Sequence, residues 1–220
     1  MVEEGKVGIE PVALRVLAEE IKELWELRVE MALVVGGGNL IRGVQADDYG
    51  IERVTADQLG MLATIMNGLA LRDVFERHGI PTSVQSAVTV GHMVAPYVRA
   101  HALRDLREGK VIIFVGGTGN PYFTTDTAAS VRALEIGAEI ILKATKVDGV
   151  YDSDPLENPA AVKFDHISYQ EVLQRRLRVM DATAISLCMD HQIPLVVFNI
   201  GVRGNMQRII LGKKAGTLIN

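Results

Sequence analysis

Short, unbroken apolar runs that end in glycine or polar turns constrain this chain most. Met31–Val35 (MALVV) runs into Gly36-Gly37-Gly38-Asn39, and Val111–Val115 (VIIFV) runs into Gly116-Gly117-Thr118-Gly119-Asn120. Glu139–Leu142 leads into Lys143-Ala144-Thr145-Lys146-Val147-Asp148-Gly149, and Leu195–Phe198 into Asn199-Ile200-Gly201. Apolar stretches without polar alternation suit strands buried on both faces, hence a mostly parallel sheet. Thr82–Val88, after Gly79-Ile80-Pro81, is a weaker strand candidate.

Helical patterns fill the gaps. Pro11–Leu27 carries Val12, Val16, Leu17, Ile21, Leu24 and Trp25, with proline suited to the first turn. Val54–His78 repeats Leu59, Leu62, Ile65, Met66, Leu69 and Val74 at helical spacing; its Met-rich face reads as packing, either core or subunit interface. Thr125–Ile136, Tyr169–Leu173, Asp181–His191 and Met206–Leu211 read as further helices, and Thr217–Ile219 as a closing strand. Alternating strand and helix predicts an α/β fold, a three-layer sandwich with a mostly parallel central sheet. The turn-rich Asp152–Pro159 (DSDPLENP) reads as a surface loop and a soft boundary between halves. No linker interrupts the pattern, so residues 1–220 are expected to form a single domain.

Composition narrows the function. Net charge is -4 and the pI about 5.8, which speaks against a broad basic nucleic-acid surface. No apolar run approaches the ~20 residues of a membrane span. A single cysteine, Cys188, cannot form an internal disulfide, and its apolar surroundings predict a buried thiol in a reducing, cytoplasmic setting. The five histidines show no metal-ligand spacing, and no protein metal site is expected.

In open α/β sheets, ligands bind beyond the carboxyl ends of strands, where glycine lets backbone N–H groups approach phosphate oxygens. Two such loops together point to ligand binding, although one alone would serve as a tight strand exit. Neither is a Walker A loop, because no G-x-x-x-x-G-K-[ST] occurs. Neither is a Rossmann fingerprint, since the third glycine positions hold Ile41 and Tyr122. Arg42, four residues past the triple glycine, offers a guanidinium fork for phosphate, with a surface ion pair as the plainer reading. Asp57 lies early in the long helix, where a carboxylate also complements the helix dipole. Thr125 or Asp126 could be explained by capping alone, but the donor-rich run Thr118–Asp126 could not.

These stretches resemble the bacterial-type uridylate (UMP) kinases of the amino acid kinase superfamily. The resemblance is carried by GGGNLIRG (Gly36–Gly43), ADQLGMLATIMNGLALRD (Ala56–Asp73), GGTGNPYFTTDTAA (Gly116–Ala129), LKATKVDGVYDSDP (Leu142–Pro155) and the ending GTLI. It implies transfer of a phosphoryl group from ATP to UMP with Mg²⁺, in pyrimidine nucleotide biosynthesis, by a homohexamer. It further implies that residues 1–115 form a UMP-binding and oligomerisation part and residues 116–220 an ATP-binding part. Gly37, Asp57 and the run Thr118, Gly119, Asn120, Pro121, Tyr122, Phe123, Thr124 and Thr125 would hold UMP, with Asp57 accepting from the ribose hydroxyls. Gly38 and Arg42 would lie beside the transferring phosphates. Thr145, Tyr151 and Asp154 would hold the adenosine side of ATP. Arg42 and Asp126 would serve the transfer itself, and Lys143 would add a cation.

One departure stands out. Family members begin with a strand ending in a Lys-Leu-Ser-Gly-Glu-like segment that cradles ATP phosphates, and Met1–Glu10 (MVEEGKVGIE) does not match it. The expectation is an N-terminal strand missing through a late start, roughly 10–20 residues. The alternative is a non-catalytic nucleotide- or oxyanion-binding protein on the same fold. A third reading is a related kinase acting on a carboxylate or carbamate.

Overall fold

The computed structural model describes residues 8–41, 50–155 and 157–220. The described residues fall into two compact units, divided between Ala128 and Ala129.

In the first unit, α1 (Pro11–Glu26) precedes β1 (Ala32–Val34), α2 (Arg53–Arg77), β2 (Thr82–Ser86), β3 (Ala95–Pro96), α3 (Arg99–Arg107) and β4 (Val111–Val115). Its sheet has the order β1-β4-β2-β3, and every pairing is parallel. All five residues of β4 are buried, so the unbroken VIIFV run marks a strand flanked by partners and covered on both faces. Helix α2 reaches this sheet at Gly68, where a Cβ would stand 2.4 Å from Val115 Cγ1. The glycine is therefore a packing requirement inside a helix it would otherwise weaken. Phe75, Ile80, Ile112 and Ile113 form the fully buried centre.

Strand β2 stops short of the expected Val88. The Ser86 hydroxyl donates to Val88 O and accepts from Val88 N, turning the chain out of the sheet. Helix α3 has no counterpart in the sequence reading.

Helix α4 (Thr125–Ile136) contains the division between the units. The second unit adds β5 (Ile141–Thr145), β6 (Val150–Tyr151), β7 (Lys163–Phe164), β8 (His166–Ile167), α5 (Tyr169–Gln174), α6 (Ala182–Asp190), β9 (Leu195–Asn199), α7 (Asn205–Ile210) and β10 (Thr217–Ile219). Its sheet runs β5-β9-β10-β8, parallel except for the antiparallel β9–β10 pair. Strand β5 continues to Thr145 because Lys143, Ala144 and Thr145 stay in register with Val197, Phe198 and Asn199. The antiparallel β6–β7 pair closes the 152–159 loop at its base, inside this unit. The core gathers Ile167, Tyr169, Val172, Ile185, Cys188 and Leu195. Cys188 is buried as expected, with Ser130 Oγ 3.3 Å from its sulfur, and burial pushes its thiol up. Among the described residues, no helix is long and apolar enough to cross a membrane.

Candidate functional site

In the first unit, two glycine loops leave neighbouring parallel strands, β1 and β4, on the side where helices α2 and α4 begin. Their shape depends on α2. A Cβ on Gly37 would lie 2.6 Å from Gly60 O and 2.8 Å from Ala63 Cβ, so the loop touches the helix backbone directly. Asn67 on α2 donates to Gly36 O at 2.8 Å and exchanges hydrogen bonds with the Asn39 amide, at 2.6 and 3.1 Å. Leu40 N and Ile41 N both donate to Gly37 O, at 2.9 and 3.0 Å, tightening the turn.

The second loop starts with Gly116, Gly117 and Gly119 at φ of +77°, +59° and +83°, values that favour glycine. Thr64, buried in α2, accepts from Gly116 N at 2.7 Å and donates to Met61 O at 2.6 Å. Thr118 Oγ1 accepts from Asn120 N at 3.2 Å, and Gly119 N donates to Gly116 O at 3.0 Å. Tyr122 stands at φ +70°, and both Tyr122 and Phe123 are exposed, while Pro121 is half-buried.

The hydroxyl that caps α4 belongs to Thr124. It accepts from Thr127 N at 3.2 Å and from Asp126 N at 3.1 Å. Thr125 and Asp126, expected as caps, are instead the first helical residues. The Thr125 hydroxyl lies beside Gly36, 3.4 Å from where a Cβ would stand there, so the two loops meet at that point.

Asp57 joins the second loop to α2. Its Oδ2 accepts from Tyr122 N at 2.8 Å, and Arg53 Nε lies 2.9 and 3.0 Å from its two oxygens. The Arg53 guanidinium also sits over the Tyr122 ring, 5.6 Å from its centroid. Arg53, Thr64 and Asn67 went unnoticed in the sequence. Their partners in the two loops lie 28 to 69 residues away, and the Arg53–Asp57 spacing of four was the one available signal. Arg42 lies outside the described residues, whereas Gly38 sits exposed in the first loop.

In the second unit, Thr145, Tyr151 and Asp154 lie along one segment that starts at the last residue of β5. The Thr145 hydroxyl is 2.6 Å from Val147 O and 3.1 Å from Phe198 O. Asn199, at the end of β9, donates to Lys146 O at 3.0 Å and accepts from Gly201 N at 2.7 Å. Tyr151 donates its phenol proton to Asp148, and Lys163 Nζ reaches the other Asp148 oxygen at 3.0 Å. The Tyr151 hydroxyl holds Asp148 below the usual carboxylate range; burial opposes this, and Lys163 adds to it. The same bond pushes the Tyr151 phenol up. Asp154 O accepts from Glu157 N and Asn158 N, making it the head of a turn. Lys143 lies half-buried on β5.

Chemically, the first unit offers glycine backbone at two strand exits, one helix start and one anchored carboxylate. That set suits an anion and a hydroxyl-bearing group together. The sequence pattern of the amino acid kinase family matches residues 3–199. Among solved structures, the UMP kinase from Bacillus anthracis is 38% identical, with a TM-score of 0.96 over 99% of this chain and 90% of that one. The UMP kinase from Ureaplasma parvum is 39% identical, with a TM-score of 0.91 over 96% of this chain and 90% of its own. The uridylate kinase from Archaeoglobus fulgidus is 28% identical, with a TM-score of 0.76, covering 96% and 94%. The chain belongs to the amino acid kinase family.

Proposed function

We propose that the protein is a UMP kinase, an enzyme that transfers the terminal phosphoryl group of ATP to UMP and yields ADP and UDP. The observation that carries this reading is its similarity, along 99% of its length, to the Bacillus anthracis UMP kinase. The anchored Asp57 carboxylate beside two glycine loops supports it.

The chemistry asks little of a base. The acceptor is a phosphate oxygen of UMP, largely ionised at neutral pH because its second pKa is about 6. The protein must instead align two anions and neutralise developing charge. In this reading Gly37, Asp57 and residues 118–125 hold UMP, with Asn120 and Thr125 on the nucleotide and Asp57 on the ribose hydroxyls. Gly38 and Arg42 attend the transferring phosphates. Thr145, Tyr151 and Asp154 hold the adenosine side, with Lys143 as a further cation. Asp126, in the first turn of α4, orients the reacting groups. Magnesium would ride on the ATP phosphates and supply charge neutralisation there. The UMP part then falls in the first unit, and the adenosine part in the second. A cytoplasmic homohexamer belongs to the same reading, with the exposed Leu62 and Met66 of α2 as candidate contact residues.

The test is direct. Purified protein with Mg-ATP and UMP is expected to accumulate UDP, and to leave aspartate, glutamate and carbamate unphosphorylated. No UDP above background, or preferential phosphorylation of one of those acids, would overturn the proposal.

A further inference from the structure

Arg53 is placed where a helix least favours it. It is the first residue of α2, at the positive end of the dipole, where a cation is unfavourable. Its partner Asp57 lies four residues later, the less favourable order for a helical ion pair. The pair is also partly exposed, Arg53 at 43% and Asp57 at 13%, so it adds little to stability. A residue that breaks two local rules with so little return to the fold is explained by what it holds.

Arg53 holds two things. Its Nε bridges both oxygens of Asp57, and its guanidinium plane covers Tyr122, whose own N–H donates to Asp57 Oδ2. Three residues from two elements thus form one closed unit. An ionised carboxylate has about four lone-pair sites. Among the described residues, Oδ2 receives two donors, Arg53 Nε and Tyr122 N, whereas Oδ1 receives Arg53 Nε alone. Oδ1 therefore keeps room for an incoming hydroxyl while the rest of the unit stays intact.

We propose that Arg53 is a positioning residue for the nucleotide sugar: by fixing Asp57 and the Tyr122 turn together, it leaves Oδ1 as the oxygen that accepts from a ribose hydroxyl, and so sets the preference for UMP over dUMP. The inference rests on the UMP kinase reading above. Lysine cannot replace arginine here, because an ammonium has neither the planar Nε–H nor a face to lay on Tyr122.

The test compares wild type, Arg53→Ala and Arg53→Lys with UMP and dUMP at saturating Mg-ATP. Loss of a charge-assisted contact at the carboxylate is expected to raise KM for UMP about tenfold in both variants. The UMP-over-dUMP ratio of kcat/KM should fall at least about fivefold, because dUMP has less of that contact to lose. KM for ATP and the melting temperature should stay near wild type. Equal losses on UMP and dUMP would overturn the proposal, as would full preference in Arg53→Lys or a wild type without preference. Calorimetric titration of UMP and dUMP into the same three proteins gives the ratio without turnover. Failure of the kinase reading therefore shows as absent UDP, and failure of the Arg53 role as an unchanged binding ratio.

Discussion

The two units build their strand-exit loops by opposite means. In the first, shape comes from missing side chains: Gly37 lies against the backbone of α2, and Gly116, Gly117 and Gly119 take positive φ. In the second, the segment after β5 contains one glycine, Gly149, which packs under Thr217 Oγ1, and the rest is pegged by side chains. Thr145, Asn199 and the Asp148–Tyr151–Lys163 set bind backbone or one another. A glycine loop leaves its N–H groups uncovered for phosphate but tolerates no added atom. A pegged loop keeps its form through several separable bonds, each modest. The first should therefore fail abruptly on substitution and the second gradually.

The sharpest break of that contrast is Gly37→Ala. Its Cβ would meet Gly60 O at 2.6 Å and Ala63 Cβ at 2.8 Å, so either the loop or the helix must move. Overpacking of this kind costs about 1–3 kcal/mol. Displacing the loop by about 1 Å is expected to lower kcat/KM for UMP about a hundredfold. Thermal unfolding and steady-state kinetics read both. Near-wild-type behaviour would mean that close approach does not build the first loop.

A matched pair of threonines comes next. Thr64 is 5% exposed and is the partner of the Gly116 N–H, so Thr64→Val leaves a buried donor without its acceptor. The expected cost is about 1–3 kcal/mol, with a raised KM for UMP. Thr145 sits half-buried with its hydroxyl near two carbonyls, so Thr145→Val should cost about 1 kcal/mol and raise only KM for ATP. Denaturant unfolding of both variants decides the order, and a larger loss at Thr145 would reverse the comparison.

Legibility in the sequence followed the range of the forces involved. Strands β4 and β9 were readable because burial on both faces leaves an unbroken apolar run. Helix α2 was readable as a helix from the apolar residues between Leu59 and Val74, but its buried face was not: Leu62 and Met66 are exposed, whereas Ala56, Ala63, Gly68, Leu71 and Phe75 are buried. Helix α3 was not: RAHALRDLR has an apolar Ala102–Leu106 pair, and its buried Asp105 becomes intelligible only once Ser83 and Lys110 are seen beside it. The α4 cap was misplaced by one residue, since Thr124 and Thr125 are the same side chain and only backbone geometry tells them apart. The glycine loops were visible as composition, whereas their supports, Thr64 and Asn67, belong to a helix whose pattern says only that it packs. Asp148 lay within a recognised stretch, but its partner Lys163 arrives from the far side of a hairpin.

The smallest effect is expected at Asp148→Asn. Asp148 is 51% exposed and Lys163 32%, so solvent screens their attraction, and an exposed pair contributes about 0–1 kcal/mol. In a chain of this size that is a melting shift of at most about 2–4 °C. The neutral amide still accepts from Tyr151, so the segment should keep its shape, with KM for ATP raised about two- to threefold and KM for UMP unchanged. The pH dependence identifies the cause. The carboxyl of Asp148 is held below its usual range, first by the Tyr151 hydroxyl, so its contribution is present above the unfolded value of about 3.9 and lost as pH falls through the folded value. Wild type and Asp148→Asn should therefore differ in melting temperature at pH 7, begin to approach each other near about pH 4 and converge only below the lowered folded value. A difference that persists in acid would place the role of Asp148 in its shape rather than its charge, and would make the second loop as intolerant as the first.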